Sequence, residues 1–227
     1  MSDFLKGFED PAAVARYAEN PPRYMPGYAD VQRMAAILLA ERVADSGTVL
    51  VLGAGGGLEM KVFAEMQSRW RFVGVDPAPE MLKLARATLG PEEARVEWVE
   101  GFIDDAPAGP FDGAASLLTL HFLPAPERLR TLRELRARLT PGAPFVAAHS
   151  SFPQAPGERE TWLRRYTAFA TVKGAEPAQA EQAAKAVGAN LDLLDPEADA
   201  DLLRQAGFRD VELFYAAFTW RGWVGLA

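Results

Sequence analysis

The chain has 227 residues, enough for one large α/β domain with a sizeable core and few for two. Its formal net charge of -7 and pI near 5.0 give an acidic surface that repels phosphate backbones and anionic lipid, so neither a nucleic acid nor a membrane is an expected partner. It has no cysteine, which excludes disulfides, thiolate metal sites, cysteine nucleophiles and cysteine-ligated iron–sulfur clusters, and its two histidines, His121 and His149, are too few for a histidine-rich zinc site.

The opening MSDFLKGFED is too polar for a secretory signal, and no apolar run approaches the roughly 20 residues that span a bilayer, so the expected location is the cytoplasm. Residues 11–28 read as a short helix, a turn at Pro21-Pro22 and the segment Pro26-Gly27-Tyr28. Over 29–43, Val31, Met34, Ile37 and Leu38 recur at helical spacing. The run TVLVLG, 48–53, is continuously apolar and closed by glycines, the pattern of a central strand buried on both faces. A helix is expected over 58–67, a second strand at RFVGVD, 71–76, a helix over 80–89 and a third strand at VEWVEG, 96–101. FDGAASLLTL, 111–120, reads as a fourth strand entering a loop. Residues 126–139 form a helix with Leu129, Leu132, Leu135 and Leu139 inward, stopped by Pro141-Gly142. A fifth strand follows at 144–150, two added helices over 156–189 meet near Gly174, a helix runs over 199–205, and the chain ends in a strand pair. Strands alternating with helices argue for a doubly wound α/β fold with a mostly parallel seven-stranded sheet, whose ligands sit at the carboxyl ends of the strands.

The first strand ends in Gly53-Ala54-Gly55-Gly56-Gly57, and a helix begins just beyond. Glycines there allow positive φ and close approach of a ligand, and the helix start offers free N–H groups. The dinucleotide fingerprint G-x-G-x-x-G needs a sixth-position glycine; Leu58 stands there, and the fit is to G-x-G-x-G through Gly53, Gly55 and Gly57. Asp76 ends the second strand about 20 residues on, where a carboxylate can accept both ribose hydroxyls. The same Asp followed by Pro77 also suits a helix cap; loop and acid together point to a nucleoside.

VLVLGAGGGLE, FVGVDPAPEML, EGFIDDAPAGPFDGAASLLTLHFL and the helix ending in RLTPG resemble the ordered motifs of class I S-adenosylmethionine (SAM)-dependent methyltransferases over residues 48–150. The resemblance implies SAM as cofactor, with Gly53, Ala54 and Gly55 under its methionine part and Asp76 on the ribose. It places Pro77 and Met81 against the adenine, Phe102 and Ile103 at its edge, Asp104 near its amino group, and Leu117 and Leu118 under the sulfonium. RYMPGYADVQRMAAILLAER, TLHFLPAPERLRTLRELRARLTPG and AGFRDVELFYAAF further resemble carboxy-SAM synthases, which implies a cofactor contact for Tyr28. Two departures from that family stand out. Leu117 occupies its asparagine position, and residues 187–196 hold no arginine or lysine to pair with the extra carboxylate. An unpaired buried carboxylate is costly, so ordinary SAM is expected.

His121 follows the fourth strand, where acceptors approach in this fold; a neutral imidazole there could take a proton, and the position equally suits a pocket-shaping loop residue. His149, Tyr24, Trp162 and Tyr166 are candidate substrate contacts, with Tyr17, Arg16 and Arg23 completing an N-terminal aromatic and basic cluster that could act as a lid. Arg128, Arg130, Arg133, Arg136 and Arg138 read as the solvated face of their helix rather than a nucleic-acid patch, and Trp220 and Trp223 as core or interface. The expectation is one methyltransferase domain over 1–227, with a helical cap at 1–46 and a helical insertion at 151–195. It would act on a small-molecule acceptor, without a metal, and a homodimer is possible. The alternatives are a carboxy-SAM synthase-like enzyme and a non-catalytic SAM-binding protein.

Overall fold

The side chains of Val49 to Leu52 are apolar and buried on both faces, which makes β1 (Thr48–Leu52) the centre of the sheet. The computed structural model describes residues 8, 10–15 and 17–227; Arg16 lies outside them. β1 pairs in parallel with β2 (Arg71–Asp76) on one side and β4 (Gly113–Leu117) on the other. β3 (Val96–Glu100) extends the sheet beyond β2, and β5 (Pro144–Ser150) beyond β4. β7 (Trp220–Leu226) then pairs antiparallel with β5 and with β6 (Arg209–Ala217), giving the order β3-β2-β1-β4-β5-β7-β6. The strand order reverses between β1 and β4, so a crevice opens where their carboxyl ends diverge. The expected seven-stranded, mostly parallel, doubly wound sheet is what the structure has, with one antiparallel strand inserted.

One face of the sheet carries α3 (Tyr28–Ala40) and α4 (Leu58–Met66); α5 (Pro79–Leu89), α6 (Ala125–Ala137) and α9 (Pro196–Gln205) complete the cover of the central strands. α3 buries Val31, Ala35 and Leu39, while Ile37, read as inward from the sequence, is 54% exposed. Small Ala35 and Ala36 let the helix lie close to the sheet, so the core stripe runs one position away from the largest side chains. Pro21 and Pro22 open α2 (Pro21–Tyr24) rather than making a turn, because a missing N–H costs nothing in a first helical turn. α1 (Pro11–Ala15) precedes it. The added helices are α7 (Glu158–Val172) and α8 (Pro177–Asn190), which pack on each other and change direction at Gly174, φ +90°.

Two hydrogen bonds fasten the N-terminal helices to the terminal hairpin. Trp220 Nε1 donates to the Tyr24 carbonyl at 3.0 Å, and the Tyr215 hydroxyl donates to the Pro26 carbonyl. They fix the chain where it turns through Gly27, φ +65°, into α3, and so fix Tyr28.

Arg128 departs from the solvated reading of the α6 arginines. It is 1% exposed and ion-paired to Asp199 on α9, and its other terminal nitrogen donates to the carbonyls of Leu123 and Asp192. The sequence places it among charged residues of one helix; only the return of residues 192–199, far along the chain, covers it. Arg130 pairs with Asp104 and Glu127, Arg138 with Glu134, and Arg136 donates to the Gly207 carbonyl, while Arg133 is exposed.

Candidate functional site

An open cleft of about 940 Å³, solvent mouth included, lies over the carboxyl ends of β1, β2 and β4. Gly53 forms its floor at φ +79°, and a Cβ there would lie 1.9 Å from Thr119 Oγ1, so only glycine lets β1 turn beneath the β4 loop. Gly55 has no positive φ; its constraint is distance, since a Cβ would lie 2.7 Å from Asp76 Oδ2. That approach serves a hydrogen bond: the Gly55 N–H donates to Asp76 Oδ2 at 2.9 Å, while Oδ1 accepts from Ala78 N–H at 2.9 Å. Asp76 therefore holds the turn that leads into α5 and braces the glycine loop while lining the cleft. Burial raises its carboxyl to about 6, partly offset by the two backbone donors.

Ten of the positions expected at the cofactor meet in this cleft. They are Tyr28, Gly53, Gly55, Asp76 and Pro77, with Met81, Phe102, Ile103, Leu117 and Leu118. Leu118 holds φ +60°, a conformation rare for a branched side chain, and its N–H donates to the Ala148 carbonyl at 2.6 Å. Such strain is characteristic of binding sites. Ala54 and Gly57 do not face the cleft. Ala54 is fully buried, and Gly57, φ +69°, sits at the start of α4 where a Cβ would strike Leu89 and Ala85. They shape the loop rather than contact a ligand. Asp104 lies at the rim, its two oxygens each 2.8 Å from an Arg130 nitrogen; Arg130, not Asp104, lines the cleft.

The residues expected at the acceptor are placed elsewhere. His121 is 4% exposed, and its Nδ1 accepts the Ser150 N–H at 3.0 Å. Burial, with His149 and Arg128 nearby, holds its pKa well below the usual histidine value. The ring lies outside the cleft wall, which is formed instead by its neighbours Thr119, Phe122 and Leu123. His149 is 2% exposed with Nε2 3.2 Å from Asp199 Oδ1, part of the knot around Arg128. Tyr24 stacks on Tyr166 at 5.3 Å, joining α2 to α7, and Arg165 and Arg221 lie over the Trp162 ring at 4.4 and 5.6 Å. None of His121, His149, Tyr24, Trp162 and Tyr166 lines the cleft. An imidazole near a strand end has two ways to point, and His121 and His149 point into the packing against Trp220 and Trp223.

Glu59, Tyr17, Phe8 and Phe122 were not among the site candidates of the sequence, apart from Tyr17 as a lid residue, yet all four line the cleft. Phe8 makes edge contacts with Tyr17 and Phe122 at 6.2 and 6.1 Å, bridging the N-terminal segment to the loop after β4. Glu59, in the first turn of α4, is 5% exposed. Burial raises its carboxyl to about 8; its own backbone N–H lowers it and Asp76 raises it further. Glu59 Oε1 has no hydrogen-bond partner among the described residues.

A family model described as a methyltransferase domain matches residues 49–142. The carboxy-S-adenosyl-L-methionine synthase of Chromohalobacter salexigens is 29% identical over 214 residues, covering 91% of this chain and 78% of that protein. The trans-aconitate 2-methyltransferase of Azoarcus sp. is 36% identical over 118 residues, covering 51% of this chain and 44% of that one. A solved structure described as "PigF with SAH" superposes with a TM-score of 0.70 at 19% identity, over all of this chain and 62% of that one, and shows the shared fold. This chain thus spans about three fifths of that structure and less than half of the trans-aconitate enzyme. Sheet order and glycine-loop cleft define a Rossmann-like fold, which the solved structure shares. Residues 49–142 thus match a methyltransferase domain, and nearly the whole chain is similar to a carboxy-S-adenosyl-L-methionine synthase.

Proposed function

We propose that the cleft binds SAM and that the protein transfers its methyl group to a small-molecule acceptor. The observation that carries this reading is the Gly53–Gly55 floor closed by a buried Asp76 carboxylate, a cradle that a single Cβ would fill. Both Asp76 oxygens keep lone pairs for the two ribose hydroxyls. Pro77, Met81, Phe102 and Ile103 offer an apolar slot for adenine, with Asp104 held at its edge by Arg130. Gly53 and Gly55 let the methionine part approach the backbone, and Tyr28, Leu117 and Leu118 surround the place of the sulfonium. The cofactor supplies a methyl group already activated by its sulfonium. The chain's own contribution is orientation and the exclusion of water, which can be worth roughly 7–11 kcal/mol. Tyr28, Phe122 and Phe8 contribute to this where the N-terminal cap meets the β4 loop.

The mostly apolar lining supports a small acceptor. Among the described residues no helix is long and apolar enough to cross a membrane. A second reading, a SAM-modifying enzyme of the carboxy-SAM synthase kind, draws on the 29% identity over 91% of the chain. Against it, the one arginine that lines the cleft among the described residues, Arg130, is taken by Asp104 and Glu127, leaving an added carboxylate without that cation. Incubation with SAM and a panel of small carboxylic acids, phenols and amines, followed by mass spectrometry, separates the two. Methylated acceptor with S-adenosylhomocysteine (SAH) supports the first reading; a carboxylated nucleoside supports the second.

A further inference from the structure

Asp76 accounts for the ribose in the proposed complex and leaves a second buried carboxylate in the cleft without an assignment. Glu59 projects from the first turn of α4, beside the glycine loop and between Tyr17 and Tyr28, with Asp76 close enough to repel it. Its Oε1 is unpartnered, and no lysine or arginine among the described residues pairs with it. A buried carboxylate facing a cavity without a donor is costly unless a ligand brings the donor.

We propose that Glu59 receives the α-ammonium of the methionine part of SAM. The inference rests on the cofactor reading above. Among the polar groups of the cofactor, the α-carboxylate is repelled by an ionised Glu59 and by Asp76 beside it, the ribose diol belongs to Asp76, and the sulfonium has no hydrogen to donate. The ammonium alone combines positive charge with three donors. Tyr17 and Tyr28 hold their protons through the burial they share with Glu59, so the ammonium meets a neutral aromatic wall and one carboxylate. The free protein keeps a proton on Glu59 near neutrality, and pairing with an ammonium expels it.

The test is calorimetric titration of wild type and Glu59→Gln at about pH 7 with SAM, SAH and 5′-methylthioadenosine, in two buffers of different ionisation heat. Methylthioadenosine has the nucleoside without the amino-acid group, and its unchanged binding also shows that the variant is folded. The expected result is a loss of about 10- to 100-fold for SAM and SAH alike, none for methylthioadenosine, and proton release on SAM binding in wild type only. A loss shared by methylthioadenosine, a loss confined to SAM, no loss, or proton release persisting in the variant overturns the assignment. Failure of wild type to bind either SAM or SAH overturns the cofactor reading itself.

Discussion

Replacing Arg128 by methionine keeps most of the side-chain volume and removes one charge from the interior. Asp199 is then left 2% exposed without its guanidinium, and the Leu123 and Asp192 carbonyls lose a donor. In the wild type, burial pushes the Asp199 carboxyl up, but His149 and Arg128 more than offset this and hold it at about 2, so it is ionised at neutral pH. Breaking a buried pair in this way costs about 3–5 kcal/mol. In a chain of this size, where each kcal/mol moves the Tm by about 2–4 °C, that is a fall of roughly 6–20 °C. The double variant Arg128→Met, Asp199→Leu removes both charges and should recover most of the loss, since two apolar side chains need no partner. Urea unfolding of the wild type, both single variants and the double variant measures each corner of the cycle. An Arg128→Met cost under about 1 kcal/mol, or a double variant no more stable than the single, would refute the buried-pair account.

Asp76→Ala removes the proposed ribose acceptor and should weaken SAM binding by about 1.5–3 kcal/mol, read by calorimetry; unchanged affinity takes Asp76 out of the cofactor site. Glu59→Gln should raise the Tm of the cofactor-free protein above about pH 8 and leave it nearly unchanged near pH 4.5. The folded Glu59 value, about 8, lies above the ordinary 4.5, so the fold holds a proton that the unfolded chain releases. Its stability is fully present below about 4.5 and drains away as pH rises to about 8, a loss that glutamine does not suffer. A scan of Tm against pH that runs parallel in the two proteins would contradict this.

The strands were legible because burial on both faces leaves an unbroken apolar run. TVLVL, RFVGVD and PFVAAHS stand in the structure with the bounds the pattern suggests, to within a residue. The cofactor side was legible for a related reason: Gly53, Gly55 and Asp76 are local to strand ends, and their geometry follows from the strands. What the sequence hid depends on distant segments. Arg128 reads as a surface residue until Asp199, 71 positions on, covers it. Glu59 reads as an ordinary helix-start acid until Tyr17 and Tyr28 close over it. His121 and His149 share a strand-end address with true site residues, and only the packing of Trp220 and Trp223 shows that they face inward.

The central claim is that the Gly53–Asp76 cleft binds SAM, and titration of the purified protein with SAM, SAH and NAD in parallel tests it most directly. Micromolar binding of SAM and SAH with no heat from NAD is the predicted result. Silence toward both SAM and SAH, or binding of NAD in their place, would contradict it.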